Sequence, residues 1–452
     1  MIAETLIENA AVVTVDPRTG VLENGFVAVS EGVITALGSG AAAAAGVAGR
    51  LRLDAEGGIV IPGLVNCHTH LPMVLFRGLA DDMALQDWLS GFIFPAEQRH
   101  INRSSVRAAT RLACAEMLLS GTTTCCDGYF FEDEVADVLA DCGLRAVAGQ
   151  GVIDFPAPGV PDARRNVAHG ADFLDRGERA GGRVQPSLFC HAPYTCASRT
   201  IRAAKAAADR RGAWLQIHVA ETRGEKAQVR EAGGLSPVAY LDRLGVLDGR
   251  TLLVHCVWAD ERDVAIIAAS GAAVAHCPQS NMKLASGVAP LPDFLSAGIP
   301  TGLGTDGCAS NNDLDMFAEM DTAAKLHKVF RKDPTVADAA AILRMATLGG
   351  AEALGMAERV GSLTVGKAAD LVVLHARRPH LVPVYDPVSL VVYSAGAGDV
   401  RHVMVGGELR VREGRLVDVD LEGVMAEAAP FADRIRRDLL SGGKEASAAE
   451  RD

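Results

Sequence analysis

Short apolar segments alternate with longer amphipathic segments from about residue 58 onward, and the alternation occurs eight times. The apolar segments have the length and β-branched content of buried strands, and the segments between them repeat apolar positions at helical spacing. Eight successive strand–helix units predict an α/β fold, a (β/α)8 or TIM barrel. The strand candidates are Ile59 to His70, Thr122 to Asp127, Arg145 to Ile153, Val184 to His191, Trp214 to Ala220, Thr251 to Val257, Ala272 to Cys277 and Thr301 to Asp306.

The two ends of the chain differ from its centre. Short β-branched segments separated by glycines occur near both ends. Such strands need a partner layer, so we expect them to meet in one smaller β-sandwich domain. The predicted division is 1–57 and 366–452 for the two parts of the β-sandwich, with a terminal helix beyond residue 422, and 58–365 for the barrel. The alanine-rich tract 41–45 is expected to be a surface connection.

Composition indicates a folded protein and argues against two classes of partner. The chain has 452 residues, of which 49% are hydrophobic and 22% charged, enough for a large core. Its net charge of -12 repels phosphate backbones and anionic lipid, so we expect no nucleic-acid or membrane partner. Glu4 stands where a signal peptide would carry basic residues, which predicts a cytoplasmic protein with mostly reduced cysteines.

Polar residues fall at the carboxyl ends of the predicted barrel strands. His68 and His70 end the first strand two residues apart, so both side chains point to the same face. Catalytic residues of (β/α)8 barrels concentrate at this end of the strands. The other polar strand-end residues are His191, His218, His255 and Asp306.

Four of these side chains form a candidate metal site. As a single residue, His218 would more often be a buried structural histidine, but the paired His68 and His70 make it a third ligand. Asp306 ends an apolar strand, where an unpaired carboxylate would be costly. We therefore predict that His68, His70, His218 and Asp306 hold one divalent cation, most simply zinc, with ferrous iron as the other possibility.

A divalent cation of this kind has a chemical consequence. It lowers the pKa of a bound water from about 15.7 to roughly 7, which provides a nucleophile at neutral pH. A second cation would need a bridging group, often a modified lysine on the fourth strand, and Val184 to His191 contains no lysine. Glu221 follows the fifth strand directly, where its carboxylate can lean over the cation.

The ligand pattern is accompanied by longer matching stretches. They are His68 to Leu89 (HTHLPMVLFRGLADDMALQDWL), His191 to Cys196 (HAPYTC), His276 to Ala289 (HCPQSNMKLASGVA) and Gly304 to Met316 (GTDGCASNNDLDM). Together with the order of the ligands along the barrel, they resemble the amidohydrolase superfamily, in its mononuclear cytosine-deaminase-like branch. More specifically, they resemble the 5-methylthioadenosine/S-adenosylhomocysteine deaminases.

The resemblance implies a reaction and three chemical roles. The expected enzyme is a metal-dependent aminohydrolase that converts an adenine nucleoside, such as 5'-methylthioadenosine, S-adenosylhomocysteine or adenosine, to the inosine analogue and ammonia. It implies that Glu221 carries a proton to N1 of the ring and that Asp306 accepts the proton of the attacking water. It also implies that His255 holds the nucleophile or the developing oxygen.

Substrate contacts are implied as well. Trp88 is expected to form an aromatic wall, Glu97 to bind the vicinal ribose hydroxyls, and His191 to contact the purine edge or the ribose. Trp88 could instead be a core residue, and Glu97 a surface acid of a helix. An arginine would suit a charged homocysteine tail, and Arg164 and Arg165 are candidates for it. The expected partner is a small purine nucleoside, and barrels of this kind commonly form homo-oligomers.

Two other functions compete with this interpretation. One is an aminohydrolase or chlorohydrolase of another heteroaromatic ring, of triazine, pterin or guanine type. Glu221 favours a substrate whose ring nitrogen must be protonated. The other is a catalytically inactive scaffold on the same barrel, which would have no physical need for four convergent ligands. Small zinc deaminases that act on flipped bases are excluded, because the chain lacks their Pro-Cys-x-x-Cys motif.

Overall fold

The computed structural model describes residues 2–40 and 46–449, so the alanine-rich tract 41–45 lies outside the described residues. The chain begins with β1 (Ile2–Val13), β2 (Val21–Ser30), β3 (Val33–Ser39), β4 (Ala48–Asp54) and β5 (Ile59–Pro62). The barrel strands follow as β6 (Leu64–Thr69), β7 (Thr122–Tyr129), β8 (Arg145–Val152), β9 (Val184–Cys190), β10 (Leu215–Val219), β11 (Thr251–His255), β12 (Ala273–His276) and β13 (Thr301–Leu303). The last strands are β14 (Leu371–Leu374), β15 (Val400–Val405), β16 (Glu408–Arg412) and β17 (Arg415–Leu416).

The predicted barrel is confirmed. Strands β6 to β13 lie side by side in chain order, and each pair of neighbours is parallel. The circle closes through a parallel bridge between Thr69 and Asp306, where the Asp306 N–H donates to the carbonyl of His68 at 2.9 Å. The first and last strands therefore bring two parts of the predicted metal site together.

Strands from both ends of the chain form a second, mixed sheet, as predicted. Its nine strands are hydrogen bonded in the order β17-β16-β15-β14-β5-β1-β2-β3, with β4 paired to β1. Strand β5 joins the two contributions, because it pairs with β1 on one side and with β14 on the other. The domain boundaries at 57/58 and 365/366 stay predictions.

The single strand predicted over 59–70 was wrong, because the chain forms two strands there. β5 belongs to the mixed sheet and β6 to the barrel, and Gly63 separates them. Thr123 packs so closely that a Cβ at Gly63 would lie 2.1 Å from its Oγ1. The continuous apolar pattern hid this break, since both strands are buried on both faces.

Helices connect and cover the barrel strands. In chain order they are α1 (Leu85–Trp88), α2 (Phe94–His100), α3 (Arg103–Leu119), α4 (Glu132–Cys142), α5 (Asn166–Asp175), α6 (Ser198–Asp209), α7 (Glu225–Gln228), α8 (Pro237–Leu244), α9 (Glu261–Ser270), α10 (Pro278–Lys283), α11 (Leu291–Ser296), α12 (Met316–Arg331), α13 (Ala339–Arg344), α14 (Gly350–Ala353), α15 (Pro387–Tyr393) and α16 (Leu421–Ala449). Within the described ranges, none of them combines the length and the apolar character that crossing a bilayer requires.

Alternation along β10 aims His218 into the barrel. Leu215 and Ile217 pack in a buried cluster with Ile201 of α6 and Leu241 of α8. Successive strand residues face opposite sides, so Gln216 and His218 point away from these helices. The polar side chains of the other barrel strands also lie at the carboxyl ends of their strands, where the site forms.

Candidate metal centre and active site

The four predicted ligands converge at the carboxyl end of the barrel. One donor atom from each of His68, His70, His218 and Asp306 lies within 4.8 Å of every other, and all four residues are buried. The Nε2 atoms of His68 and His218 are 3.1 Å apart. Asp306 Oδ1 lies 3.2 Å from His70 Nε2 and 3.6 Å from His68 Nε2. The arrangement matches three nitrogens and one carboxylate oxygen around one cation.

Backbone geometry at the strand ends aims the polar side chains. Ala220, His255 and Asp306 all have left-handed backbones, with φ of 52°, 74° and 61°. Non-glycine residues avoid this region unless the surrounding structure holds them there, and such positions cluster at functional sites. At Ala220 the chain leaves β10 and turns, so the next side chain, Glu221, can face the barrel mouth. His255 and Asp306 are themselves the left-handed residues, and their own side chains face the barrel mouth.

Hydrogen bonds behind the ligands fix their orientation. His70 Nδ1 donates to the carbonyl of Gly128 at 2.5 Å, so its Nε2 is the ring nitrogen that faces the site. Burial lowers the pKa of His70, but Asp306 beside it raises that pKa above its usual value. The Oδ2 atom of Asp306 accepts from the hydroxyls of Ser280 and Ser310 at 2.7 and 2.9 Å. These contacts leave Oδ1 facing the histidines.

The ionisation of the ligands suits a cation. Burial lowers the pKa of His68 to about 4 and that of His218 well below its usual value, so both rings are neutral at pH 7. Burial alone would raise the pKa of Asp306, but His68 and His70 beside it hold it well below the usual range. Three imidazoles and an ionised carboxylate are the donors that a divalent ion such as zinc prefers, so the residues fit a mononuclear metal centre.

Two further polar groups stand next to the ligands. The Nε2 atom of His255 lies 4.0 Å from Glu221 Oε2 and 4.0 Å from Asp306 Oδ2. The other ring nitrogen of His255 donates to Asn281 Oδ1 at 3.0 Å, which leaves Nε2 directed at the two carboxylates. Burial raises the pKa of Glu221, although His255 opposes the shift. A carboxyl group and an imidazole therefore meet beside the four candidate metal ligands.

The site opens into one cavity of about 700 Å³, measured to its mouth. The three substrate contacts implied by the resemblance, Trp88, Glu97 and His191, all line it, together with every predicted site residue except His68, which lies behind. Trp88 is 5% exposed and stands in the short helix α1. Most of the remaining lining is apolar or aromatic, as in small-molecule sites.

Glu97 is not the surface acid that it could have been from sequence alone. It is 3% exposed, and its Oε1 accepts the hydroxyl of Tyr129 at 2.6 Å. Burial raises the pKa of Glu97 to about 7, and the bond from Tyr129 limits the shift. His191 is held by Thr195, whose Oγ1 lies 2.9 Å from Nδ1, and burial lowers its pKa to about 3. Both side chains are held in place by hydrogen-bonding partners at the wall of the cavity.

Some residues of the site were missed from the sequence, and two candidates fall outside it. Tyr129 ends β7, so the pattern of polar strand ends could have found it. Ser280 and Asn281 lie within a matching stretch but carried no chemical signal of their own. Arg164 and Arg165 do not line the cavity. The side chain of Arg164 is 89% exposed and pairs with Asp162.

Comparisons with known proteins agree with this geometry. The model of the amidohydrolase family matches residues 59–410. A 5-methylthioadenosine/S-adenosylhomocysteine deaminase from Syntrophobacter fumaroxidans is 44% identical over 96% of this chain and 99% of its own length. A 5'-deoxyadenosine deaminase from Methanosarcina mazei is 41% identical over 96% of this chain and 98% of its own.

A solved structure shares the whole architecture. It is an adenosine deaminase from Xanthomonas campestris with bound zinc, and it superposes with a TM-score of 0.93 at 40% identity. The match covers 96% of this chain and 99% of that one. Barrel, mixed sheet and metal-binding residues thus occur together with a family match over most of the sequence. We conclude that this chain belongs to the amidohydrolase family.

Proposed function

We propose that the protein is a metal-dependent hydrolytic deaminase of adenine nucleosides, which releases ammonia and leaves the inosine analogue. The observation that carries the proposal is the convergence of Glu221, His255 and Asp306 beside the metal-binding group, at the bottom of a largely apolar cavity. The names of the similar proteins support 5'-methylthioadenosine, S-adenosylhomocysteine, 5'-deoxyadenosine or adenosine as the substrate class.

The proposed metal ligands are His68, His70, His218 and Asp306. A divalent cation bound to them would acidify water, so that a nucleophile is available at neutral pH. Zinc is the proposed ion, because nitrogen and oxygen donors suit it and the Xanthomonas relative was solved with zinc. Ferrous iron fits the same donors.

Proton handling is assigned to the groups around His255. Glu221 donates a proton to N1 of the purine, where it remains in the inosine analogue, and then accepts the proton of the C6 hydroxyl as that oxygen becomes the carbonyl. Burial raises the pKa of Glu221. Asp306 accepts the proton of the attacking water and passes it to the amino group, which departs as ammonia. His255 uses Nε2 to hold that water or the developing oxygen, since Asn281 occupies Nδ1.

Substrate binding is assigned to residues on three different elements. Trp88 provides a flat apolar wall for the purine or the ribose. Glu97, held by Tyr129, accepts hydrogen bonds from the vicinal ribose hydroxyls, and its pKa of about 7 makes this binding stronger as the pH rises and the carboxylate ionises. His191, which directly follows β9, contacts the purine edge or the ribose.

A substrate panel with ammonia detection tests the proposal. Adenine nucleosides should be deaminated, whereas triazines, pterins and guanine should be poor substrates. Because no lysine or arginine among the residues that the structure describes lines the cavity, the carboxylate of S-adenosylhomocysteine would lack a counter-ion there. We therefore expect a higher kcat/KM for 5'-methylthioadenosine or 5'-deoxyadenosine. A preference for a non-purine ring would contradict the adenine assignment and favour a hydrolase of another heteroaromatic ring. No turnover of any ring would favour the inactive scaffold.

The proposed setting is a homo-oligomer in the cytoplasm. All ten cysteines are free thiols, as a reducing compartment would keep them. Val329 and Phe330 are adjacent large apolar side chains at 72% and 57% exposure, and they are the surface residues that we propose for self-association. Sedimentation analysis at several concentrations tests this, and a monomer throughout would contradict it.

A further inference from the structure

A second glutamate lies directly behind Glu221. Glu225 stands in α7, is 1% exposed and does not line the cavity. Its Oε2 accepts the backbone N–H of Glu221 at 2.9 Å, and the N–H of Ala220 also interacts with this carboxyl group. The side chain therefore contacts the backbone that carries Glu221 and cannot reach the substrate space.

The segment from Ala220 to Glu225 needs such a contact. Strand β10 ends at Val219, and the chain turns through the left-handed backbone of Ala220. A buried N–H that leaves a sheet requires a new acceptor, and strain at a left-handed alanine must be compensated by its surroundings. On the other side of the turn, the N–H of Trp258 donates to the Ala220 carbonyl at 2.8 Å. Glu225 supplies the acceptor that the backbone N–H of Glu221 would otherwise lack.

The orientation of this turn decides where the Glu221 carboxylate points. The Glu225 N–H donates to the Thr222 carbonyl at 3.1 Å, so the segment is closed on itself by one backbone bond and one side-chain bond. Rotation of the Ala220–Glu221 peptide would break the side-chain bond and move Glu221 Oε2 away from His255, now 4.0 Å distant. Displacement of a reacting group by about 1 Å is enough to slow catalysis strongly.

We propose that Glu225 is a positioning residue, which holds the Ala220–Glu221 peptide so that the Glu221 carboxyl group faces the reacting ring. The inference rests on the proposed function of Glu221. Glu225 itself takes no proton from the substrate, because it has no access to the cavity. Burial raises the pKa of Glu225 to about 8, so at neutral pH it sits behind Glu221 without adding a second negative charge.

Two substitutions of similar volume separate the hydrogen bond from packing. Glu225→Met fills the space but cannot accept the N–H, and kcat should fall ~10- to 100-fold while KM changes little. Glu225→Gln keeps an acceptor and should restore kcat to within about threefold of the parent. Lys226→Ala, on the exposed side of the same helix, is the matched control and should behave as the parent.

Ligand binding distinguishes positioning from general damage. In Glu225→Met, affinity for a purine nucleoside analogue with a tetrahedral hydroxylated C6 should fall with kcat/KM, whereas affinity for the inosine product stays unchanged. Metal content and thermal midpoint are measured on the same samples. If Glu225→Met does not fold, Glu225→Asp, which is one methylene shorter, provides the same test.

A double-mutant cycle gives the sharpest outcome. If Glu225 acts only through Glu221, then Glu225→Met in a Glu221→Gln background causes no further loss of turnover. If the fold-losses of turnover in the two single variants multiply in the double variant, the positioning role is wrong. An unchanged kcat in Glu225→Met would also overturn it. Full activity of Glu221→Gln alone would instead overturn the proposed function of Glu221, so the two failures are distinguishable.

Discussion

Two pairs of buried histidines in this barrel have almost the same geometry and different surroundings. The Nε2 atoms are 3.1 Å apart in His68–His218 and 3.0 Å apart in His276–His327. Ring centroids are 5.0 Å apart in both pairs. Around the first pair, His70 and Asp306 complete a group of four donors, and among residues 2–40 and 46–449 no comparable group includes the second pair.

The difference shows that a short distance between ring nitrogens does not define a metal site. Burial lowers the pKa of His327 to about 4 and that of His276 well below its usual value, so two neutral rings can share one N–H···N bond. In the first pair, the third imidazole and the ionised carboxylate turn the same contact into a set of lone pairs facing one point. The third and fourth donors make the metal centre.

The largest expected contrast comes from removing one histidine of each pair. His218→Asn should lose the metal and reduce ammonia release by ~10³-fold or more, because three ligands remain for the ion. His327→Leu should keep metal and turnover but lower the free energy of unfolding by ~1–3 kcal/mol, since His276 is left without its buried partner. Elemental analysis and denaturant unfolding measure both effects. Metal loss in His327→Leu would contradict the distinction between a metal-binding histidine pair and a structural one.

A second substitution separates the ion from proton transfer within the first region. Glu221→Gln should retain the metal and reduce turnover by ~10²- to 10³-fold, because an amide cannot carry the proton to the ring. Metal content and single-turnover rates on one preparation provide the measurement. Unimpaired turnover would contradict the role of Glu221.

Removing the serine hydroxyls that hydrogen bond to Asp306 should have an effect of intermediate size. Ser280→Ala and Ser310→Ala each remove a hydroxyl that orients Asp306, and each should weaken metal affinity by ~10-fold. Competition with a calibrated chelator measures the affinity. Ser270→Ala at the end of α9 is the control, and equal affinities in all three variants would show that Asp306 needs no such support.

The second pair should be visible in the pH dependence of stability, which is the smallest effect. His327 has a pKa of about 4 when folded and near 6.5 when unfolded, so the unfolded chain binds more protons between these values. Stability should therefore decrease as the pH falls from 6.5 towards 4. In His327→Leu this slope should be shallower by up to ~1.4 kcal/mol per pH unit. Parallel curves for the two proteins would contradict the shared-bond interpretation.

The two regions also differ in how far the sequence predicted them. The metal centre follows from local patterns, since each ligand ends an apolar strand and parallel strands end at the same edge. The second pair joins the end of β12 to α12, 51 residues apart. His327 lies within a helix, so a pattern of polar strand ends could not identify it as the partner of His276.

Backbone turns were the other feature that the sequence did not predict. The break at Gly63 stayed hidden, because the strands on both sides of it are apolar. The left-handed backbone of Ala220 was equally hidden, since alanine seldom adopts it, and with it the contact of Glu225. Such features depend on packing between distant segments. The barrel, the mixed sheet and the four ligands needed only periodicity and strand ends.

Metal titration of the apoprotein measures whether one divalent ion per chain is required for deamination. After removal of bound ions with a chelator, ammonia release from an adenine nucleoside is measured as zinc is added back in substoichiometric steps. We expect no ammonia release without metal. As zinc is added, the rate should rise linearly and stop rising at one equivalent per chain, with no such recovery in His218→Asn. Full activity of the metal-free protein, or a rise that continues to two equivalents, would contradict this expectation.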